Sequence, residues 1–246
     1  MDQPTVLITG ARGGIGRALA KRLHAAGWLV AAVGREVEAL EQVPAALRMA
    51  ADVSTPAGAS HAVQACSDAW GTPPSHLAHC VGSTLIGPLH RASVEQLDDV
   101  LRVNLMSALL MLRAWSQALR GAQGRGAAVF VSSVAARIGI SNHEGIAAAK
   151  GGIEAMVRGA AASYAPAGLR INAVAPGLTE TEMTAGLLKM PAMREAAERQ
   201  YPLGGIQQPD AVAAAMAWLL GTESARVTGT ILEVDGGFSH VRPIVR

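Results

Sequence analysis

Residues 9–16, Thr9-Gly10-Ala11-Arg12-Gly13-Gly14-Ile15-Gly16, directly follow the short apolar run Thr5-Val6-Leu7-Ile8 and precede a helical pattern over 17–26. No other feature restricts the fold so tightly. Glycine lets a backbone turn sharply and come close to a bound group, and the N-terminus of the helix that follows favours negative charge. The glycines stand at 10, 14 and 16, a G-x-x-x-G-x-G spacing rather than the better-known G-x-G-x-x-G. A ligand-free tight turn would also call for glycine. Its place directly after the first strand points instead to the phosphates of a nucleotide.

Strand-like segments recur at 30–33, 47–50, 76–81, 127–131, 170–174 and 230–234, with helical periodicity over 94–119 and from about 144 to 164. Such alternation predicts an α/β fold, a doubly wound parallel sheet of about seven strands covered on both faces. With 50% apolar and 16% charged residues the chain can bury one large core, and no repeat or linker divides it, so 1–246 reads as a single domain. Residues 178–203 are polar, methionine-bearing and poorly periodic, as expected of a mobile lid. The net charge of +2 without a basic run argues against a nucleic-acid or membrane partner, and no apolar stretch reaches membrane-spanning length. The start, Met1-Asp2-Gln3-Pro4, lacks the features of a signal peptide, which predicts a cytoplasmic protein. Cys66 and Cys80 form no metal spacing and read as free thiols, so no metal is expected.

The second strand's exit distinguishes the two nicotinamide cofactors. An acid there would bond a ribose 2′-hydroxyl, whereas an arginine would accept a 2′-phosphate. Gly34-Arg35 follows that strand, and Arg12 lies in the glycine turn. The pair favours NADP(H) over NAD(H), although Arg35 also fits a solvated loop charge. Asp52 can accept from an adenine amino group with Val53 packing beside it, or can simply close a turn.

These motifs, together with Asn104 in Arg102-Val103-Asn104-Leu105, Ser133, Lys150 and Pro176-Gly177-(x3)-Thr181, resemble the short-chain dehydrogenase/reductase family over nearly the whole chain. The resemblance implies a Rossmann-like sheet, a small-molecule substrate, and a homotetramer or homodimer joined through the helices near 94–119 and 144–164. It also implies cofactor contacts from Gly10, Arg12, Gly14, Ile15, Gly16, Arg35, Asp52, Val53, Gly82, Pro176, Gly177, Thr179 and Thr181. By the same likeness Lys150 bonds the nicotinamide ribose, Ser133 holds the substrate oxygen, and Asn104 holds a water of a proton relay.

Two departures stand out. His79-Cys80-Val81-Gly82 replaces the family's Asn-Asn-Ala-Gly, which puts the sheet-bracing hydrogen bonds of an asparagine in doubt. More seriously, the Tyr-x-x-x-Lys pair becomes Ile146-x-x-x-Lys150, and Ile146 can neither give nor take a proton. Tyr164 lies about 21 Å beyond Lys150 if the helix is straight. Tyr201, at the end of the lid, would reach the site only by lid closure.

Ser141-(x2)-Glu144 has the form of a capping box, with Ser141 as N-cap. His143 would then fall in the first helical turn, on one stripe with Ile146 and Lys150, about 10 Å from Lys150 along the axis. It reads either as a surface or capping residue or as the proton donor, since a neutral imidazole can relay a proton. The spacing of His143 to Lys150 matches that of the tyrosine in enoyl reductases of the same superfamily. Two functions remain open at this point. One is an NADP(H)-dependent oxidoreductase acting on a small carbonyl, alcohol or conjugated enone, with His143 or a water supplying the proton. The other is a catalytically weak or inactive NADP(H)-binding sensor or oligomer partner.

Overall fold

A computed structural model of the chain describes residues 3–242. Among them lie seven strands, β1 (Thr5–Thr9), β2 (Leu29–Gly34), β3 (Leu47–Ala50), β4 (His76–His79), β5 (Gly126–Val131), β6 (Leu169–Pro176) and β7 (Ile231–Val234). They form one sheet in the order β3-β2-β1-β4-β5-β6-β7, every neighbouring pair parallel. The expected Rossmann-like α/β architecture is therefore the one the chain adopts.

Helices α1 (Gly14–Ala25), α2 (Pro56–Trp70), α3 (Val94–Leu101), α4 (Ser107–Gly121), α5 (Glu144–Tyr164), α6 (Ala185–Leu188), α7 (Pro191–Glu198) and α8 (Pro209–Leu220) connect or cover the strands. Side chains alternate between the two faces of a strand, which is why these strands are apolar throughout. Leu7, Leu77 and Phe130 pack with Met111, Trp115 and Ile153 from α4 and α5, and with Ala62 and Val63 of α2. Val6, Ile8 and Val129 face the other way, onto Leu19 of α1 and Met216 of α8. Each large side chain buried this way contributes roughly 1.5–3 kcal/mol. Trp115 is fully buried and donates its indole N–H to the Pro74 carbonyl at 2.9 Å, so its polar atom is not left unpaired.

Sequence periodicity does not flag α2 or α8. The signals for α2 are local: the Thr55 hydroxyl caps it by accepting from the Gly58 N–H at 3.0 Å, Pro56 opens it, and Gly71 closes it at φ +71°. Helix α8 is apolar nearly all round, and a helix without a polar face has no amphipathic period. The stretch expected as one helix over 94–119 is interrupted by a π-helical turn, Arg102–Met106, with Asn104 at its centre. Single wide turns of this kind are frequent at functional sites. The fourth strand stops at His79 rather than at 81.

Strand order reverses between β1 and β4, the first strands of the two halves. In open parallel sheets a crevice forms above the carboxyl ends of the strands at such a point.

Candidate active site

A cleft of about 1080 Å³ opens above that switch point. The glycine turn makes its floor, and the need for glycine there is steric. A β-carbon on Gly16 would stand 2.4 Å from the Gly10 carbonyl oxygen, and one on Gly10 would stand 2.8 Å from the Cys80 and Val81 backbone. Gly10 also takes φ +66°, a conformation that L side chains avoid. The result is a backbone cradle at the head of α1, which is what a pyrophosphate needs. Thr181 rests on the same turn, its methyl carbon 2.8 Å from where a β-carbon of Gly14 would be.

Nearly every residue that sequence reasoning singled out lines this one cleft: Gly10, Arg12, Gly14, Ile15 and Gly16 from the turn, with Arg35, Asp52, Val53 and Gly82 along the adjoining wall. Asn104, Ser133, His143, Ile146 and Lys150 form the middle, and Pro176, Gly177, Thr179 and Thr181 the far side. Several are already engaged. One oxygen of Asp52 accepts from the Ser54 hydroxyl at 2.6 Å and the Ser54 N–H at 3.0 Å. These bonds hold its carboxyl below the usual range, the hydroxyl contributing most, so Asp52 closes a turn and leaves its second oxygen for a ligand. Arg12 stands 3.5 Å from Glu182 at the start of the lid. Arg35 makes no ion pair among the described residues, although Glu36 beside it also lines the cleft. Glu36 is a carboxylate that the sequence reading passes over. Thr179 is buried and donates its hydroxyl to the Gly177 carbonyl at 2.9 Å.

Lys150 is buried on α5 and donates to the Val131 carbonyl at the end of β5, at 2.9 Å. Burial pushes its ammonium down to about 8, and the nearby Cys80 pulls the other way. Cys80 is itself pushed up to about 12 by burial and stays a neutral thiol. A β-carbon on Gly82 would meet Asn104 Oδ1 at 3.0 Å and Lys150 Nζ at 3.4 Å, so a side chain there would press on both. Asn104 is fully buried, and its amide donates to the Val100 carbonyl at 2.9 Å and the Ser83 hydroxyl at 3.1 Å. Its side-chain amide therefore braces the wall of the cleft, with Asn104 itself lining it between Gly82 and Lys150. The Ser133 hydroxyl accepts from the Ala135 N–H at 3.2 Å and keeps its own proton available.

The capping box is not formed. Helix α5 begins at Glu144 with His143 at the N-cap position and no side-chain cap bond. Asn142, at φ +63°, turns the chain just before it, and its carbonyl is held by the Gly87 N–H at 3.0 Å. Ser141 is carried away from the helix end by that turn. Its carbonyl lies 2.7 Å from His143 Nδ1 instead. A carbonyl only accepts, so Nδ1 carries the proton, and in the neutral ring Nε2 is an acceptor. In this arrangement the neutral ring offers Nε2 as an acceptor, and it can still relay a proton between Nε2 and Nδ1.

Ile146 is buried with 6% exposure, facing the cleft as apolar wall. Tyr164 closes an unbroken α5 far from the cleft, with Arg120 stacked over its ring at 6.0 Å. Tyr201 lines the cleft with the 178–203 segment folded as it is in this structure. Its hydroxyl accepts from the Leu178 N–H at 2.7 Å and its ring stacks on Phe238 at 4.9 Å. Burial raises its pKa, so it is a neutral phenol. Only folding of the 178–203 segment brings it there, and nothing local in the sequence announces it.

His79 supplies the bracing left in doubt by the missing asparagine. The Ser107 hydroxyl gives its proton to the Val103 carbonyl at 2.5 Å, so His79 Nε2 donates to Ser107 at 3.0 Å while Nδ1 accepts from the Thr9 hydroxyl at 2.8 Å. The imidazole ties β1, β4 and α4 together as one neutral, fully bonded group. Burial, and then the Lys150 charge, pushes its pKa down to about 3.

A family model described as enoyl-(acyl carrier protein) reductase matches residues 10–239. The (3R)-3-hydroxyacyl-CoA dehydrogenase of Mus musculus is 32% identical, covering 94% of each chain. The cis-4-hydroxycyclohexanecarboxylate dehydrogenase of Sinomonas cyclohexanicum is 35% identical, covering 96% of each. Among solved structures, 3-ketoacyl-(acyl-carrier-protein) reductase from Brucella melitensis complexed with NADH superposes with a TM-score of 0.88 at 28% identity, covering 96% of this chain and 98% of that one.

Proposed function

The chain belongs to the short-chain dehydrogenase/reductase family, and from that premise we propose that it is an NADP(H)-dependent oxidoreductase of small carbonyl, alcohol or conjugated enone substrates with an atypical proton donor. The observation that carries this reading is the shared cleft, in which a glycine cradle, the Lys150 ammonium and the Ser133 hydroxyl face one space. A nicotinamide dinucleotide bound there supplies or accepts the hydride. Gly10, Gly14, Ile15 and Gly16 hold the pyrophosphate, Asp52 and Val53 the adenine, and Gly82, Pro176, Gly177, Thr179 and Thr181 the nicotinamide half. Lys150 bonds the ribose. Arg35, with Arg12, takes the 2′-phosphate, which sets the preference for NADP(H). Ser133 donates to the substrate oxygen and stabilises negative charge as it develops there. Asn104 keeps the wall beside Lys150 in place and holds a water of the proton relay.

His143 handles the proton. Its bare Nε2 accepts from an alcohol in the oxidising direction, and its charged form donates in the reducing one. An enone fits the same site, because hydride addition leaves an enolate whose oxygen needs hydrogen-bond donors more than an immediate acid. The protein is proposed to work in the cytoplasm as a homotetramer or homodimer. Exposed Leu101 of α3, Met106 of the π-helical turn and Leu109 of α4 support the pairing. No described helix is long and apolar enough to cross a membrane.

Ile146 favours one alternative, a sensor that binds NADP(H) without turnover, since loss of a general acid costs on the order of 10²–10⁴ in rate. Titration with NADPH and NADH, followed by a panel of ketones, quinones and enones, separates the two. Oxidation of bound NADPH by any panel member supports the enzyme, and tight binding with no oxidation supports the sensor. In the same titration Arg35→Ala weakens NADPH far more than NADH; equal weakening of both overturns the 2′-phosphate assignment.

A further inference from the structure

Glu154 has no part in this chemistry, yet only 5% of its surface is exposed. Burying a carboxylate is costly unless it is paired and hydrogen-bonded. Here Oε1 accepts from the Ser132 hydroxyl and from Arg137 Nε, each at 3.0 Å, and Oε2 lies 3.8 Å from Arg158. Arg137 continues to Glu233 on β7 at 3.3 Å. Two carboxylates and two guanidiniums thus balance one another in a chain that runs from α5 and the exit of β5 across to β7.

The place of this cluster is what gives it a functional meaning. Ser132 immediately precedes Ser133, and Glu154 follows Lys150 by one helical turn. The Ser132 hydroxyl also lies 3.4 Å from the Lys150 carbonyl. The register of α5 against the end of β5 is therefore fixed at the level where Lys150 Nζ meets the Val131 carbonyl. On the other side of Lys150, one turn earlier, Ile146 offers no polar group to help. A packed apolar cluster would hold the core together equally well. It would not fix the registration of a serine and a lysine on two different elements, because dispersion contacts have no direction.

Taking the cleft as a nicotinamide site, we infer that Glu154, acting through Ser132 and Arg137, is a positioning residue that sets the spacing of Ser133 and Lys150. The experiment is a fluorescence titration of NADPH into wild type, Ser132→Ala, Glu154→Gln and Glu154→Leu, with near-UV circular dichroism to show that each is folded. Glu154→Leu weakens NADPH by roughly tenfold or more, since small misplacements of a binding group are expensive. Ser132→Ala loses one hydrogen bond and weakens it by about three- to tenfold. Glu154→Gln still accepts from both partners and restores affinity to within about threefold of wild type. Folded Leu and Ala variants that bind NADPH as wild type does overturn the inference, as does a Gln variant no better than Leu. If Glu154→Leu does not fold, Ser132→Ala decides alone, because it removes only a hydroxyl. Failure of the underlying functional reading shows itself separately, as a wild-type protein without affinity for NADPH, and takes the inference down with it.

Discussion

Ile146 and His143 sit at the same end of α5, and under the proposed function they set what chemistry the cleft performs. A tyrosine at 146 would place a phenol one turn before Lys150, in contact with a buried ammonium that favours its ionised form. Ile146→Tyr is accordingly expected to raise kcat/KM for a simple ketone by about 10²-fold or more. No gain in a folded, NADPH-binding variant would show that the rest of the site is not arranged for carbonyl reduction. His143→Ala should lower turnover by about tenfold or more while leaving NADPH affinity unchanged. Unchanged turnover would retire His143 and leave Tyr201 or water as the proton carrier. At this scale the sequence shows which group is missing through its resemblance to the family, whose tyrosine falls four residues before Lys150, at Ile146. It does not show the tautomer of His143 or the commitment of Asn104, because both depend on carbonyls that come from the fold.

The glycine turn and the first turns of α1 behave as a unit. Gly16→Ala forces a methyl to within 2.4 Å of the Gly10 carbonyl and 2.9 Å of Ala11 Cα, both backbone atoms with nowhere to move. The variant should lose about 1–3 kcal/mol in denaturant unfolding and most of its NADPH affinity. Wild-type stability with Ala at 16 would mean that the turn is looser than its geometry indicates. Element boundaries were readable where a local signal exists, as at the strand preceding Gly10. They were misread where tertiary contacts decide. Ser141 and Glu144 have the residue types of a capping box, yet the left-handed Asn142 and its bond to Gly87 start α5 at Glu144 instead. The π-helical turn around Asn104 has no sequence period at all.

At the scale of the whole molecule, buried histidines set the acid limit. His79 is held at about 3 and His76 at about 4 by burial, both below the ordinary histidine value of 6.5. The unfolded chain therefore binds more protons than the native one as pH falls below 6.5, and stability declines progressively toward pH 3–4. Thermal melts should show Tm falling across that window, less so in His79→Asn, which keeps an amide able to bond Thr9 and Ser107. A flat profile in the wild type would mean that the native state admits water or protons to His79. Lys150 acts in the alkaline range. Its depressed pKa costs stability at and below pH 8, and the cost fades as pH rises toward 10.5. By itself the sequence determined the parallel sheet covered on both faces, the glycine cradle and the isoleucine four residues before Lys150. Each of these follows from periodicity or from residue type at fixed spacing along the chain. Tertiary structure alone decided that Tyr201 and Phe238 wall the cleft, that His79 braces the sheet, and that Glu154 ties Ser132 to α5. Those contacts join residues distant along the chain, and a contact of that kind exists only once the sheet has brought its strands into register.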